Sequence, residues 1–214
     1  KEIYAAQMAT VYSLAKLAES RDNDMEFHLE RIGLVSELLA VQLRANPKYT
    51  HLINDTFISN VYHASPLHDI GKVAIPDAIL CKPGRLDVDE MSIMKTHSAI
   101  SAETMQVAQQ RYGHNEFINM GIDIARSHHE KWDGSGYPDG LVGEGIPLSA
   151  RIVAVADVYD ALRSKRCYKE SFYRTESKEI IEQGAGKHFD PEIVKAFLDC
   201  EEHIETIYKK MMEV

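Results

Sequence analysis

Five histidines and two aspartates form a spaced series along the chain: His28, His68-Asp69, His97, His128-His129 and Asp157. Successive groups lie roughly 30 to 40 residues apart, about one helix plus its loop. Taken singly, each has a plain structural explanation. A histidine on an apolar helix face, as at His28 or His97, is commonly a hydrogen-bonded core residue, and His-Asp dipeptides are common. Taken together they are a donor set. Side by side, the imidazole of His68 and the carboxylate of Asp69 can ligate two neighbouring cations if the carboxylate bridges them. Asp157 sits in the apolar run RIVAVADVYDAL, where an unpaired carboxylate is costly. Asp160 follows about one helical turn later and repels it. The pair therefore calls for a cation, either a metal ion or an Arg or Lys side chain.

Seven donors exceed the needs of one ion, so two or more ions are the economical reading. Mixed imidazole and carboxylate donors suit Fe, Mn, Zn or Ni better than Mg or Ca alone. Two ions about 3.5–4 Å apart suit in-line displacement at a phosphodiester, activating water and clamping the phosphate oxygens. Such a centre needs no Ser or Cys nucleophile. None stands in a recognisable setting, since there is no GxSxG and Cys81, Cys167 and Cys200 lie far apart.

Helices must position these groups. In FHLERIGLVSELLAVQL, His28, Ile32, Val35 and Leu39 share one helix face. Asp87 is placed to cap a helix on which Ile93, His97 and Ile100 share a face. Pro147 stands near the start of another that aligns Ile152, Val155, Ala156, Tyr159 and Leu162. Further helices are expected around 53–65, 115–130, 173–184 and 191–210, the last capped by Asp190 with Pro191 in its first position. Strand alternation is lacking, although KVAIP and GYPDGL could pair locally. The expectation is an all-α fold, a single bundle of seven or eight helices with two Gly/Pro-rich loops shaping one opening.

Composition agrees: 44% of residues are hydrophobic and 27% charged, the balance of a globular chain. Residues 1–214 are read as one domain, with the motif-bearing core at 20–198 and a linker or signalling helix at 1–20. That helix, with Tyr4, Met8, Val11 and Ala15 on one side, is expected to relay a signal, to form a homodimer, or simply to pack on the bundle. The chain opens on Lys rather than Met, from which an upstream sensor or receiver domain is expected. The apolar runs fall short of the roughly 20 residues that span a bilayer, so no membrane insertion is expected in this segment. The absence of a signal peptide and the odd, scattered cysteines point to a reducing cytoplasm. A formal net charge of −9 argues against a DNA or RNA polymer as partner. A small anion remains compatible, because bound cations reverse the local field.

Residues 127–140, SHHEKWDGSGYPDG, concentrate special chemistry. His128 and His129 are read as ending a helix, Glu130 and Lys131 as solvated charges, and Trp132 as a packing anchor. Asp133 either orients a ligand histidine or caps the turn. The glycines and Pro138 make a rigid wall that presents Tyr137 for stacking or hydrogen bonding with a substrate.

With these residues assembled, the chain resembles the HD-GYP family, a bacterial branch of the HD superfamily of metal-dependent phosphohydrolases. The likeness runs from about residue 20 to 198 through HDIGKVAIPDAILCKPGRL, HHEKWDGSGYPDGL, GEGIPLSARIVAVADVYDAL and FDPEIVKAF. It implies an all-helical fold and hydrolysis of cyclic di-GMP to pGpG, in some members onward to GMP. It further implies that His28, His68, Asp69, His97, His128, His129 and Asp157 are metal ligands, with Asp69 bridging. Asp69 and Lys72 would be catalytic, Lys72 contacting the scissile phosphate. Arg166 and Lys169 would hold the substrate's phosphate and guanine, and Asp160 would orient a ligand or a basic side chain. Some members bind a third ion through a Glu four positions before the first histidine; here Asp24 stands there, one methylene shorter. DNDMEF replaces the family's Thr-Gly stretch, and Cys167 stands where the family has Pro. Two alternatives remain: a non-catalytic receptor relaying cyclic di-GMP occupancy to a partner, and a phosphodiesterase for another cyclic dinucleotide such as cyclic GMP-AMP.

Overall fold

A computed structural model of the chain describes residues 2–21, 27–164 and 172–212. Asp24, Arg166, Cys167 and Lys169, and the side chain of Tyr4, lie outside the described residues. The described residues form nine α-helices: α1 (Glu2–Glu19), α2 (His28–Arg44), α3 (Asp55–Ala64), α4 (Asp77–Leu80), α5 (Val88–Tyr112), α6 (Glu116–Ser127), α7 (Leu148–Arg163), α8 (Arg174–Gln183) and α9 (Pro191–Met212). Three short 3-10 turns join them, at Ser65–Leu67, Ile70–Ala74 and Gly143–Gly145. The fold is all-α. The count exceeds the expected seven or eight because α4 has only 4 residues, too few to leave a periodic signature. KVAIP and GYPDGL do not pair: the first runs through a 3-10 turn, and the described residues hold only isolated bridges, Asp133 to Val142 and Ala185 to Phe189.

Two helices organise the core. α2 turns Ile32, Val35, Leu39 and Leu43 inward against α3, α7 and α9, each such burial stabilising by about 1.5–3 kcal/mol. α7 is enclosed on nearly every side: Ser149 through Ala156 are buried without a break, joined by Tyr159 and Asp160. That pattern marks a central helix rather than a surface one. α5 buries only His97, Ser98, Ser101 and Ala102, and Ile93, expected beside His97, is 43% exposed. Small side chains are required there because a main chain packs against them. A Cβ added at Gly71, in the turn Ile70–Ala74, would sit 2.2 Å from His97 O.

The terminal signals act as expected. Asp87 caps α5 in a capping box with Glu90. Asp190 accepts from Glu192 N at 2.9 Å and pairs with the buried Arg151 at 2.6 Å. On α1, Val11 and Ala15 pack with Leu29 and Leu67, so this half of the helix belongs to the bundle, while Ile3 nearer its start is exposed. No described helix is long and apolar enough to cross a membrane.

Candidate metal centre

The donors arrive from five places. His28 opens α2; His68 and Asp69 join the turns Ser65–Leu67 and Ile70–Ala74; His97 lies within α5; His128 caps the end of α6 with His129 beyond it; and Asp157 lies on α7. Asp69 has φ −107° and ψ 9°, the sparsely allowed bridge region where active-site residues often sit. Adjacent residues inside a helix would point about 100° apart. Because α6 ends at Ser127, both histidines reach the same opening, their ring centroids 4.0 Å apart.

Two groups form. Asp69, His97, His128 and His129 bring donor atoms within 4.8 Å of one another, and so do His28, His68 and Asp157. Asp69 faces both: its Oδ1 is 3.1 Å from His97 Nε2, and its Oδ2 is 3.2 Å from His68 Nε2. His68 Nε2 also lies 3.9 Å from Asp157 Oδ1.

The far nitrogens fix the rings. His68 Nδ1 bonds Ser65 O at 2.9 Å, His97 Nδ1 bonds Met94 O at 2.7 Å, and His128 Nδ1 bonds Ile124 O at 3.0 Å. In the neutral ring, an N–H donated to a carbonyl leaves Nε2 as the lone-pair atom aimed inward. Those Nε2 atoms and Asp69 Oδ1 are buried with no hydrogen-bond partner, an expensive arrangement in an interior that otherwise satisfies its polar groups. A divalent cation suits all four, so the residues fit the ions that the donor set calls for.

Electrostatics divide the same groups. Burial works against a charged His68 ring, but the Asp69 carboxylate, with Asp157 beyond it, outweighs burial and raises the ring to about 9. Burial likewise opposes ionisation of Asp69, yet Lys72 and His68 hold it well below the usual carboxylate range. Burial lowers His128, and lowers His129 well below the ordinary value, which favours the neutral ring, the form able to ligate a cation.

Around this core, Lys72 Nζ stands 2.9 Å from Asp69 Oδ2. Tyr137 stacks on His129 with centroids 4.8 Å apart, and Lys95 Nζ lies over the Tyr137 ring, 5.0 Å from its centroid. Asp160, fully buried, accepts from His28 Nδ1 at 2.7 Å, Arg31 Nε at 2.5 Å and Tyr208 Oη at 2.7 Å. The two carboxylates of α7 thus separate: Asp157 faces the histidines, while Asp160 has an arginine. Asp133 is placed at its own turn, accepting from Ser135 N and Oγ, and not at a ligand histidine.

Glu130 is no solvated charge. It is 2% exposed, and its carboxylate accepts the main-chain N–H groups of Asp139 (2.7 Å), Gly140 (3.1 Å) and Leu141 (3.0 Å). It thereby closes the loop that carries Tyr137. Gly136 is needed beneath that closure, since a Cβ there would lie 2.3 Å from Lys131 N. Glu19, at the end of α1, was absent from the expected set, yet its Oε1 lies 3.7 Å from His28 Nε2. Burial raises its carboxyl, although His28 and Lys16 pull the other way.

Residues 13–193 match the family model described as HD domain. The chain is 46% identical over 206 residues to a cyclic di-GMP phosphodiesterase of Vibrio cholerae, covering 96% of this chain and 42% of that protein. It is 44% identical over 206 residues to the cyclic di-GMP phosphodiesterase response regulator RpfG of Xanthomonas campestris, covering 96% and 51%. The chain spans about half the length of the curated relatives it matches. The crystal structure of a cyclic GMP-AMP-specific phosphodiesterase from V. cholerae superposes with a TM-score of 0.62 at 16% identity, over 96% of this chain and 52% of the other, a likeness of fold. With His68-Asp69 in the donor cluster and Gly136-Tyr137-Pro138 in the loop beside it, the chain belongs to the HD domain family, in its HD-GYP branch.

Proposed function

We propose that this chain is a two-metal phosphodiesterase that hydrolyses cyclic di-GMP to pGpG. The observation carrying this reading is Asp69, whose two oxygens face separate groups of donors with Lys72 alongside. The 46% identity to a protein named for that reaction supports the substrate. The donor set favours Fe or Mn, with Zn or Ni as alternatives. When bound, such ions contribute Lewis acidity toward phosphate oxygens and a lowered pKa for water.

The chain's own residues do the rest. His28, His68, Asp157 and the set Asp69, His97, His128 and His129 hold the two positions, and Asp160 keeps His28 in its ring orientation. Lys72 offsets charge growing on a non-bridging phosphate oxygen. Tyr137 and the loop closed by Glu130 wall the opening and exclude water, and Arg166 and Lys169 orient the dinucleotide. The reading includes control through α1 by a regulatory segment on its N-terminal side, which the response-regulator relative's name supports. Anaerobically purified protein reloaded with Fe or Mn is expected to convert cyclic di-GMP to pGpG, followed by chromatography, with cyclic GMP-AMP a poorer competing substrate. Preference for cyclic GMP-AMP would reassign the substrate; binding without turnover would make the chain a receptor.

A further inference from the structure

The stretch just past α1 grips the segment that carries Lys72. The Arg21 guanidinium donates to the main-chain carbonyls of Lys72 (3.4 Å), Val73 and Ile75 (3.1 Å), and pairs with Asp77 Oδ1 at 2.5 Å. These acceptors lie at the C-terminal end of the turn Ile70–Ala74 and just beyond it; Lys72 O also accepts from Ile75 N at 3.0 Å, and at such an end carbonyls run short of helical partners and a cation is favoured. A planar fork reaches several of them at once, which a point-like ammonium does not. The same turn is pinned from its other side: Gly71 N donates to Ser101 Oγ of α5 at 2.7 Å, and nothing larger than glycine fits there. Cys81 Sγ donates to Arg21 O at 3.4 Å, tying α4's end to the same point. The Lys72 main chain is therefore held between α5 and Arg21, with its ammonium left at Asp69.

We propose that Arg21 is a positioning residue: by fixing the main chain of the Lys72 turn from the end of α1, it aims the Lys72 ammonium at the phosphate. The proposal rests on the phosphodiesterase reading for what Lys72 does. It makes the end of α1 a working part of the site, so a shift of that helix would change the rate without removing a metal ligand.

The test compares the metal-loaded wild type with Arg21→Ala, Lys72→Ala and the double variant. Arg21→Ala is expected to keep the wild-type metal content and a KM within about threefold, while kcat falls by about tenfold or more. Its amides at 72–77 should exchange faster by about tenfold, with those around His128 unchanged. Adding Arg21→Ala to Lys72→Ala should cost less than about twofold more, because both act through one ammonium. Arg21→Lys keeps the charge but loses the fork and should fall between; it carries the same comparisons if Arg21→Ala does not fold. Unchanged kcat, additive losses in the double variant, or unchanged exchange at 72–77 would each overturn the proposal. If the wild type hydrolyses no cyclic dinucleotide, the phosphodiesterase reading fails on its own, and the exchange measurement still decides whether Arg21 holds the turn.

Discussion

Asp69 and Asp160 show how two buried carboxylates acquire different roles from their neighbours. Asp69 meets imidazole Nε2 atoms that have no other hydrogen-bond partner, so its field is completed only by cations. Asp160 meets His28, Arg31 and Tyr208, so its charge is already answered and it serves as a rigid acceptor. Asp160→Ala would deprive the buried Arg31 of its carboxylate and free His28 to turn. A loss of about 3–5 kcal/mol in urea unfolding is expected, with metal affinity down about 10–100-fold in titration; unchanged unfolding would contradict this role. His68 gives a pH signature. Its folded pKa lies at about 9, above the ordinary histidine value of about 6.5. A raised pKa stabilises the folded state fully below the unfolded value, and that stability fades as pH rises through about 9. Unfolding of the metal-free protein should show this loss between those values and His68→Gln should lack it; matching pH profiles would rule out the pairing. Loading a metal at neutral pH should also release a proton from His68, because an imidazole ligates only when neutral. At this scale the sequence was informative where a polar residue replaced a core residue, as at His28, His97 and Asp157. It was silent on Arg31 and Tyr208, which stand 129 and 48 residues from Asp160 and show only when α2 and α9 pack on α7.

Elements bring the donors within reach by giving up regularity. The chain leaves α3 through two 3-10 turns, which lets the adjacent His68 and Asp69 address different groups. α6 stops at Ser127 so that His128 and His129 converge. The Gly/Pro loop after them is closed by Glu130, whose charge is spent on three main-chain N–H groups. Glu130→Ala should destabilise by about 2 kcal/mol, speed amide exchange at 139–141 and raise KM as Tyr137 loses its backing. Unaltered exchange in that stretch would count against the closure. The helix face carrying His28 and the caps at Asp87 and Asp190 were legible because their periods and end signals are local. The burial of Glu130 was not, because it depends on a loop folding back 9 to 11 residues later. The partial exposure of α5 was also hidden, since its inner neighbour is a glycine main chain rather than a side chain.

For the molecule as a whole, donor groups on separate helices become one centre only when α2, α5, α6 and α7 are packed together. The order of those groups along the chain was legible because each falls on its own helix-and-loop unit. The reach of α1 and the residues just past it into the site, through Glu19 and Arg21, was not, because an amphipathic helix looks the same whether it links or participates. The central claim is that one bridging carboxylate unites two metal positions into a hydrolytic centre, and Asp69→Asn tests it while keeping the side chain's shape. Metal content by elemental analysis and cyclic di-GMP turnover should be measured on the same anaerobic samples. The account predicts two ions per chain in the wild type, one for each donor group, and loss of bound metal and pGpG formation together in Asp69→Asn. Full turnover by a variant that holds no metal would contradict it.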